Sequence, residues 1–233
     1  MIQKNLIEIE NYKKELESKL NREIRLTENS VSDPGQRLRI GFNGHILINI
    51  LLLRSLQLTS GLINGLNTDN AVLSFLATRA QFETTGTIAY LYKKLESFYA
   101  NKIDLNSILI VLDKLLLGFK QKNIPIVPPE AVNVLTQIDT VDELKIFPKN
   151  QKKFRSMYES LSEFSHPNYC SFKLFVEKHS LNNYKLRYPC VMEQREFDLI
   201  LTSQTLSQIA FLFCFNSINH LLSTNERDVL TLN

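Results

Sequence analysis

The chain has 233 residues, of which 44% are hydrophobic, and a formal net charge of +3 at pH 7. This length and apolar content suffice for one large domain or two small ones, and so small a net charge does not by itself require a nucleic-acid partner. The three cysteines, Cys170, Cys190 and Cys214, are far apart and form no CxxC pair. They therefore indicate reduced thiols in a cytosolic protein rather than disulfides or a zinc site.

The first 36 residues are predicted to form a helical arm followed by a linker. Apolar side chains recur among charged ones over residues 2–25, as in an amphipathic helix: Ile2, Leu6, Ile9, Leu16 and Leu20. Packing of this helix on the body is favoured over a coiled-coil arm, because its three heptads are near the minimum for a coiled coil. Residues 27–36 are polar and contain Pro-Gly, which predicts the linker. Acidic residues near the start indicate no export signal.

The rest of the chain, residues 37–233, is predicted to be a helical-bundle domain, so the fold class is all-α with six to eight helices. The predicted helices cover residues 37–65, 70–99, 104–118, 130–146, 149–165 and 193–222, with Asn67, Thr68 and Asp69 as candidate N-caps for the second. Three prolines predict a rigid loop over residues 124–130. Two stretches of strand-forming residues flank LeuAsnAsn and predict a small β-hairpin insert near residues 171–191.

Two apolar stretches, residues 45–53 and 199–222, are candidates for membrane helices. Arg54 directly follows the first, and polar side chains such as Gln204 and Gln208 interrupt the second. A spanning helix needs about 20 mostly apolar residues, so both stretches are predicted to be core helices of a soluble, cytoplasmic protein with no membrane partner. Long glycine-containing helices suit close helix contacts, which makes a homodimer one expected assembly.

A first polar signature, ThrArgAlaGlnPheGlu at residues 78–83, lies within an otherwise apolar helix. Arg79 and Glu83 are four residues apart and share one helix face, which Gly86 continues. The carboxylate of Glu83 can neutralise and orient the guanidinium, which then suits a carboxylate or phosphate ligand. Gly86 leaves room for another backbone or a ligand. An ion pair that only fixes helix packing fits the same spacing.

A second polar signature, LeuSerGluPheSerHisProAsn at residues 161–168, ends the helix over residues 149–165. Pro167 disfavours helical geometry at His166, so the imidazole is predicted at the helix C-terminus. There it either exchanges protons with a substrate or caps the helix through its ring. Asn168 is predicted to cap a helix or to bind a ligand.

A basic stretch precedes this histidine, with aromatic residues between the cations: Lys149, Lys152, Lys153, Phe154, Arg155 and Tyr158. Such a composition can hold a phosphate backbone and stack a base, although an ordinary solvated helix face has the same pattern. The sequence contains no HxxxH, HExxH, GxxxxGK[ST], GxGxxG or GxSxG motif. It therefore predicts no metal and no cofactor.

With these two signatures, the chain resembles a family of uncharacterised bacterial all-helical proteins over about residues 70–220. In that family an Arg-xxx-Glu helix is followed by a Tyr-xx-Leu-Ser-x-x-x-His-Pro segment, which corresponds here to Tyr158, Leu161, Ser162, His166 and Pro167. More distantly, it is similar to the HEPN superfamily of helical bundles, many of which are metal-independent ribonucleases in defence and RNA-processing systems. The usual HEPN motif places an Arg four to six residues before the His on one helix. Here Arg155 lies further away, which departs from the standard motif, and a non-consecutive site that takes Arg79 from another helix is the alternative.

Two hypotheses follow. In the first, the protein cleaves or binds RNA in bacterial or phage defence, with Arg79, Glu83 and His166 as catalytic residues. The substrate would then be held by the remaining polar side chains of this region: Lys152, Lys153, Arg155, Tyr158 and Asn168. In the second, the protein is a non-catalytic helical module that binds a protein partner, and Arg79, Glu83 and His166 form a structural network. Both hypotheses expect the helices over residues 70–99 and 149–168 to pack together.

Overall fold

The computed structural model describes residues 2–20, 33–118, 129–147, 153–180, 183–190 and 192–230. In this part of the chain, eight helices pack as a bundle beside one antiparallel hairpin, which confirms the predicted all-α fold with its hairpin insert. The helices are α1 (Ile2–Lys19), α2 (Asp33–Asn67), α3 (Ala71–Tyr99), α4 (Leu105–Leu117), α5 (Val134–Glu143), α6 (Lys153–Ser165), α7 (Tyr169–Lys173) and α8 (Gln194–Leu230). The strands are β1 (Val176–Ser180) and β2 (Asn183–Leu186).

Helix α3 is the centre of the bundle and packs against α2, α4, α5, α6 and α8. Apolar side chains on several sides of α3 are fully buried, which is typical of a helix enclosed by others. Two of them stack on rings from α6: the centroids of Phe82 and Phe154 are 4.0 Å apart, and those of Phe75 and Phe164 are 4.4 Å apart. The predicted packing of these two helices is therefore confirmed, and it brings the two polar signatures together.

Helix α1 lies on the body, in contact with α2 and α8. Its side chains Ile9, Tyr12 and Leu16 are buried, and the hydroxyls of Tyr12 and Ser55 are 3.1 Å apart. This is the packing that the sequence favoured over a projecting coiled coil. The division into an arm over residues 1–36 and a bundle domain stays a prediction, and the linker residues 27–32 lie outside the described residues.

Gly86 allows the backbone of α5 to approach α3. A Cβ atom at this position would lie 3.0 Å from the backbone carbon of Gln137, which is closer than such atoms normally come. One residue further along, the hydroxyl of Thr87 donates to Oε1 of the same glutamine at 2.5 Å. The expectation that Gly86 makes room for another backbone is confirmed, and the contact sets the position of α5 beside the polar signatures.

Several predicted helix boundaries were wrong. Helix α2 begins at Asp33 rather than near residue 37, because a proline fits the first turn of a helix and Pro34 therefore does not delay its start. The N-cap of α3 is Asn70, whose Oδ1 accepts from the backbone N–H of Leu73, since Asp69 adopts a left-handed conformation with φ of 52°. Helix α8 continues to Leu230 instead of ending near residue 222. Residues 21–25, 124–128 and 149–152 of other predicted elements lie outside the described part.

Two helices are long and apolar enough to cross a membrane by length and composition alone, over Ile40–Asn67 and Gln194–Thr224. Half of the residues in the most apolar window of each are buried inside the bundle. Core helices of soluble proteins pass the same test, so the expectation of a cytoplasmic protein without a membrane partner stays a prediction.

Candidate functional site

The candidate site is a cluster of four polar side chains between α3 and α6, formed by Arg79, Glu83, Tyr158 and Ser162. The first two come from one face of α3 and the other two from one face of α6, since each pair is separated by one helical turn. The stacked phenylalanine pairs beside them hold the two helices in contact. We call these four side chains the α3–α6 cluster.

The guanidinium of Arg79 is fixed by the three other members of the cluster. Its Nε donates to Oγ of Ser162 at 3.1 Å, and its Nη2 donates to the hydroxyl of Tyr158 at 3.0 Å. The same Nη2 lies 3.0 Å from Oε1 of Glu83, and a quarter of each charged side chain is exposed. Nη1 bonds none of the residues that the structure describes. The predicted Arg79–Glu83 pairing on one helix face is thus confirmed, and one donor group of Arg79 stays open.

Tyr158 links the two charged groups and is almost completely buried. Its hydroxyl accepts from Arg79 and donates to Oε1 of Glu83 at 3.1 Å, while the guanidinium carbon lies 5.4 Å from the ring centre. Burial raises the pKa of Tyr158, the hydrogen bond from Arg79 opposes that rise, and the charge of Glu83 adds to it. The neutral phenol is therefore the form that holds the cluster together.

Ser162 completes the cluster and connects it to His166. Its Oγ donates to the carbonyl of Tyr158 at 2.8 Å while accepting from Arg79. Its own carbonyl accepts from the backbone N–H of His166 at 3.1 Å. The sequence placed this serine within the second signature but gave it no role of its own. Its spacing of four residues from both Tyr158 and His166 was the signal that could have identified it.

His166 directly follows the last residue of α6, as Pro167 predicted. Its side chain is exposed, and it makes no hydrogen bond or ion pair with any residue of the described ranges. The ring therefore does not cap its own helix within that part of the chain. His166 follows Ser162, the partner of Arg79, by one turn of α6, and the imidazole bonds neither Arg79 nor Glu83.

Arg155, predicted to bind substrate, is occupied by carboxylates. Its Nε donates to Glu159 at 2.7 Å, and its Nη1 lies 2.9 and 3.1 Å from the two oxygens of Asp139. The hydrogen bond to Glu159, together with Asp139, raises the pKa of Arg155. Its backbone N–H also donates to Asp142 at 3.0 Å, so this residue ties α6 to α5. A substrate would have to compete with these partners, and the binding role stays a prediction.

The other predicted substrate-binding residues are spread along the same region. Lys153 begins α6 and makes no hydrogen bond or ion pair with described residues, whereas Lys152 lies outside them. Asn168 caps α7, because its Oδ1 accepts from the backbone N–H of Cys170 at 3.1 Å, and its Nδ2 donates to Glu163 at 2.9 Å. The capping alternative for Asn168 is confirmed, and its contact with a substrate stays a prediction.

The cluster can bind one oxyanion but is not built as a strongly cationic site. A guanidinium held along one edge presents its remaining N–H groups to a phosphate or carboxylate in a fixed direction. Because Glu83 neutralises much of its charge, such a ligand would be bound by directed hydrogen bonds more than by long-range attraction. The exposed imidazole of His166 lies one helical turn beyond Ser162, and histidine is the side chain that most often serves as a general acid or base.

A second set of polar side chains is buried on α2, α3 and α8, and the sequence reasoning gave it no role. It consists of buried side chains with atoms that bond no described residue: Thr59, Gln81, Ser203, Gln204 and Gln208. Both amide atoms of Gln81 and of Gln204 are in this state. We call this group the α3–α8 seam. Glutamines four residues apart in an apolar helix, as at 204 and 208, were its signal in the sequence.

A surface cavity of about 330 Å³ lies elsewhere, where α8 begins beside the end of α2. It shares no lining residue with the cluster, and it is bordered by Leu66, Asp69, Pro189, Cys190, Met192, Glu193, Gln194 and Phe197. All three cysteines of the chain are free. Among the described residues, no group of three or more His, Cys, Asp and Glu is arranged to hold a metal ion.

No family model matches the chain, and neither the curated proteins nor the solved structures contain a significant match to it. The resemblance to the HEPN superfamily therefore stays a prediction that depends on the two signatures.

Proposed function

We propose that this protein binds RNA at the α3–α6 cluster and cleaves it with His166. The observation that carries the proposal is the bond between Arg79 and Ser162, which is the residue four positions before His166. In the HEPN-like pattern, an Arg of the same helix takes that position. Arg79 of α3 brings a guanidinium to the same turn from a different helix, which supports a site of non-consecutive residues.

The proposed reaction needs one proton acceptor and one group that stabilises negative charge. His166 would remove the proton of a ribose 2′-hydroxyl, and the 2′-oxygen would attack the adjacent phosphorus. The bond from phosphorus to the 5′-oxygen then breaks, the leaving oxygen takes a proton from water, and a 2′,3′-cyclic phosphate remains. The open Nη1 of Arg79 would donate to the charged phosphoryl oxygen, while Glu83 and Tyr158 hold the guanidinium in place.

The test is the cleavage of a 5′-labelled single-stranded RNA in the presence of EDTA. We expect the His166→Ala variant to lose activity at least 100-fold, in the range typical of a general base. His220→Ala, which removes another exposed histidine on α8, is the matched control and should cleave as the wild type does. Replacing the 2′-hydroxyl by hydrogen at the cleaved position should abolish the reaction. Equal cleavage by folded His166→Ala and wild-type protein would remove His166 from the proposal.

A second candidate, a non-catalytic module that binds a protein partner, is favoured by a different observation. Apart from Nη1 of Arg79 and Oε2 of Glu83, which bond no described residue, the side-chain polar atoms of the cluster are engaged within it, and they join α3 to α6. A network that only fixes helix packing has this form. If this candidate is right, the Arg79 variants should lose stability, and RNA should be neither bound nor cleaved by the wild-type protein.

A further inference from the structure

Exposed aromatic side chains are concentrated in the segment that follows His166. Tyr169 and Phe172 of α7, Tyr184 of β2 and Tyr188 just after the hairpin are all exposed, Tyr169 to 75% and Tyr188 to 97%. In the rest of the described chain, Phe213 is the one large aromatic side chain that is exposed, to 43%. Large apolar side chains at such density on a surface are typical of an interaction site.

The backbone holds these rings in a defined arrangement. Asn168 caps α7, and the antiparallel ladder pairs Val176 with Leu186. The N–H of Arg187 donates to the carbonyl of Phe175 at 2.8 Å, so the end of the hairpin is bonded back to the turn that follows α7. We call α7, the hairpin and Tyr188 together the aromatic platform. The exposed rings on it belong to a folded unit rather than to an unstructured tail.

The charge of this segment points to an anionic partner. Residues 166–190 contain four Lys and Arg but one acidic residue, Glu177, so the segment carries as much net positive charge as the whole chain. Arg187 is paired with Glu177 at 3.1 Å, whereas Nζ of Lys173 lies 5.8 Å from the ring centre of Tyr169. Exposed rings with cations beside them are what proteins use to stack bases and hold the phosphates between them. A groove for an apolar peptide would instead be rich in aliphatic residues, of which Leu186 is the exposed example here.

We propose that the aromatic platform binds single-stranded RNA by stacking its bases on Tyr169, Tyr184 and Tyr188. This inference rests on the proposed function, since it names the form of RNA that the site would receive. Tyr169 lies three residues after His166 in the chain, so the platform begins in the segment that directly follows the imidazole. Stacking is tolerant of sequence, because every base has an aromatic face.

The test measures binding of a fluorescein-labelled 2′-O-methyl RNA of 12 nucleotides, which cannot be cleaved at its 2′-positions, by fluorescence anisotropy. In three double variants, Tyr184 and Tyr188 are both replaced by Leu, by Ala or by Phe. The three pairs distinguish the contribution of an aromatic ring to binding from that of an apolar side chain. We expect Kd to rise about 10-fold or more for the Leu and Ala pairs, and to change by less than about 3-fold for the Phe pair. Phe213→Leu, which removes an exposed ring outside the platform, is the matched control and should bind as the wild type does. A duplex of the same sequence should bind more weakly than the single strand.

The outcomes distinguish a failure of the platform proposal from a failure of the proposed function. If the wild type binds no single-stranded RNA, or the Leu pair binds as tightly as the wild type, the platform proposal is overturned. If the Leu and Ala pairs bind normally while His166→Ala abolishes cleavage, the platform is wrong and the proposed function stands. If the Leu and Ala pairs lose binding while His166→Ala cleaves normally, the platform stands and the proposed function is wrong. Because the substituted side chains are exposed, circular dichroism should show an unchanged helix content in every variant.

Discussion

The two polar groups on α3 differ in how their hydrogen-bonding atoms are satisfied. The α3–α6 cluster is partly exposed, and its members bond one another across two helices, with Nη1 of Arg79 left open. The α3–α8 seam is buried, and seven of its side-chain atoms bond no residue of the described part. A buried polar atom without a partner costs free energy, whereas a bonded network stabilises the helices that it joins. The cluster therefore has what a ligand site needs, a fixed and reachable donor, and the seam does not.

The largest loss of stability should come from the removal of Arg79, because its guanidinium bonds all three other members of the cluster. We expect Arg79→Ala to lower the free energy of unfolding by about 2–3 kcal/mol, since hydrogen bonds to charged groups are lost and Glu83 keeps a single partner. Urea denaturation followed by circular dichroism measures the change. Arg79→Lys keeps the charge but not the fork of donors, so it should recover a minor part of the loss. An unchanged free energy for Arg79→Ala would mean that the cluster does not hold the helices together.

The seam should respond in the opposite direction. Gln81→Met and Gln204→Met replace a buried amide that bonds no described residue by an apolar side chain of similar shape, so each should raise the free energy of unfolding by about 1–2 kcal/mol. Gln57→Met, at an exposed position on α2, is the control and should change it by less than about 0.5 kcal/mol. If both buried variants lose stability instead, the glutamines have bonding partners in solution and the contrast with the cluster disappears.

A smaller loss is expected for Tyr158→Phe, which removes the hydroxyl but keeps the ring. Arg79 keeps its bonds to Ser162 and Glu83, so the free energy of unfolding at pH 7 should fall by about 1 kcal/mol. Ser160→Ala, at a partly exposed site on the same helix, is a suitable control. A loss as large as that of Arg79→Ala would place Tyr158, rather than the guanidinium, at the centre of the cluster.

The same variant has a characteristic pH dependence. Burial raises the pKa of Tyr158, so the unfolded chain loses the phenolic proton first, above about pH 10. The contribution of the Tyr158 hydroxyl to the free energy of unfolding is therefore fully present below about pH 10. It is lost as the pH rises through the higher pKa of Tyr158 in the folded state. Phenylalanine cannot ionise, so the stability difference between wild type and Tyr158→Phe should narrow above about pH 10. Denaturation series at pH 8, 9, 10 and 11 would reveal a widening difference if the sign were wrong.

The smallest effect on stability is expected for His166→Ala. The imidazole is exposed and bonds no described residue, so the free energy of unfolding should change by less than about 0.5 kcal/mol. A loss of RNA cleavage with unchanged stability would set His166 apart from the four members of the cluster, whose removal is expected to change both. A loss near 2 kcal/mol would favour the non-catalytic hypothesis, in which the histidine belongs to the structural network.

The sequence was sufficient for most of the fold because apolar periodicity and capping residues are local signals. The start of α4 near residue 104 and the end of α6 before Pro167 were predicted correctly, since capping and the steric effect of proline depend on adjacent residues. The same local reasoning was wrong at Pro34 and at the end of α8. Pro34 was taken as part of a linker, although proline can occupy the first turn of a helix. The last helix was expected to end near residue 222, but α8 continues to Leu230.

The sequence by itself determined that Arg79 and Glu83 share a helix face and that His166 ends a helix, because both statements follow from spacing within one segment. Only the tertiary structure decided that Arg79 bonds Ser162 and Tyr158, that Arg155 bonds Asp139 of α5, and that Gln81 lies in the seam. The residues in these contacts lie on different helices, and the way in which the packed helices are rotated against one another brings them together. Helix packing is set by the fit of many apolar side chains, such as the stacked phenylalanines, and no short motif encodes that sum.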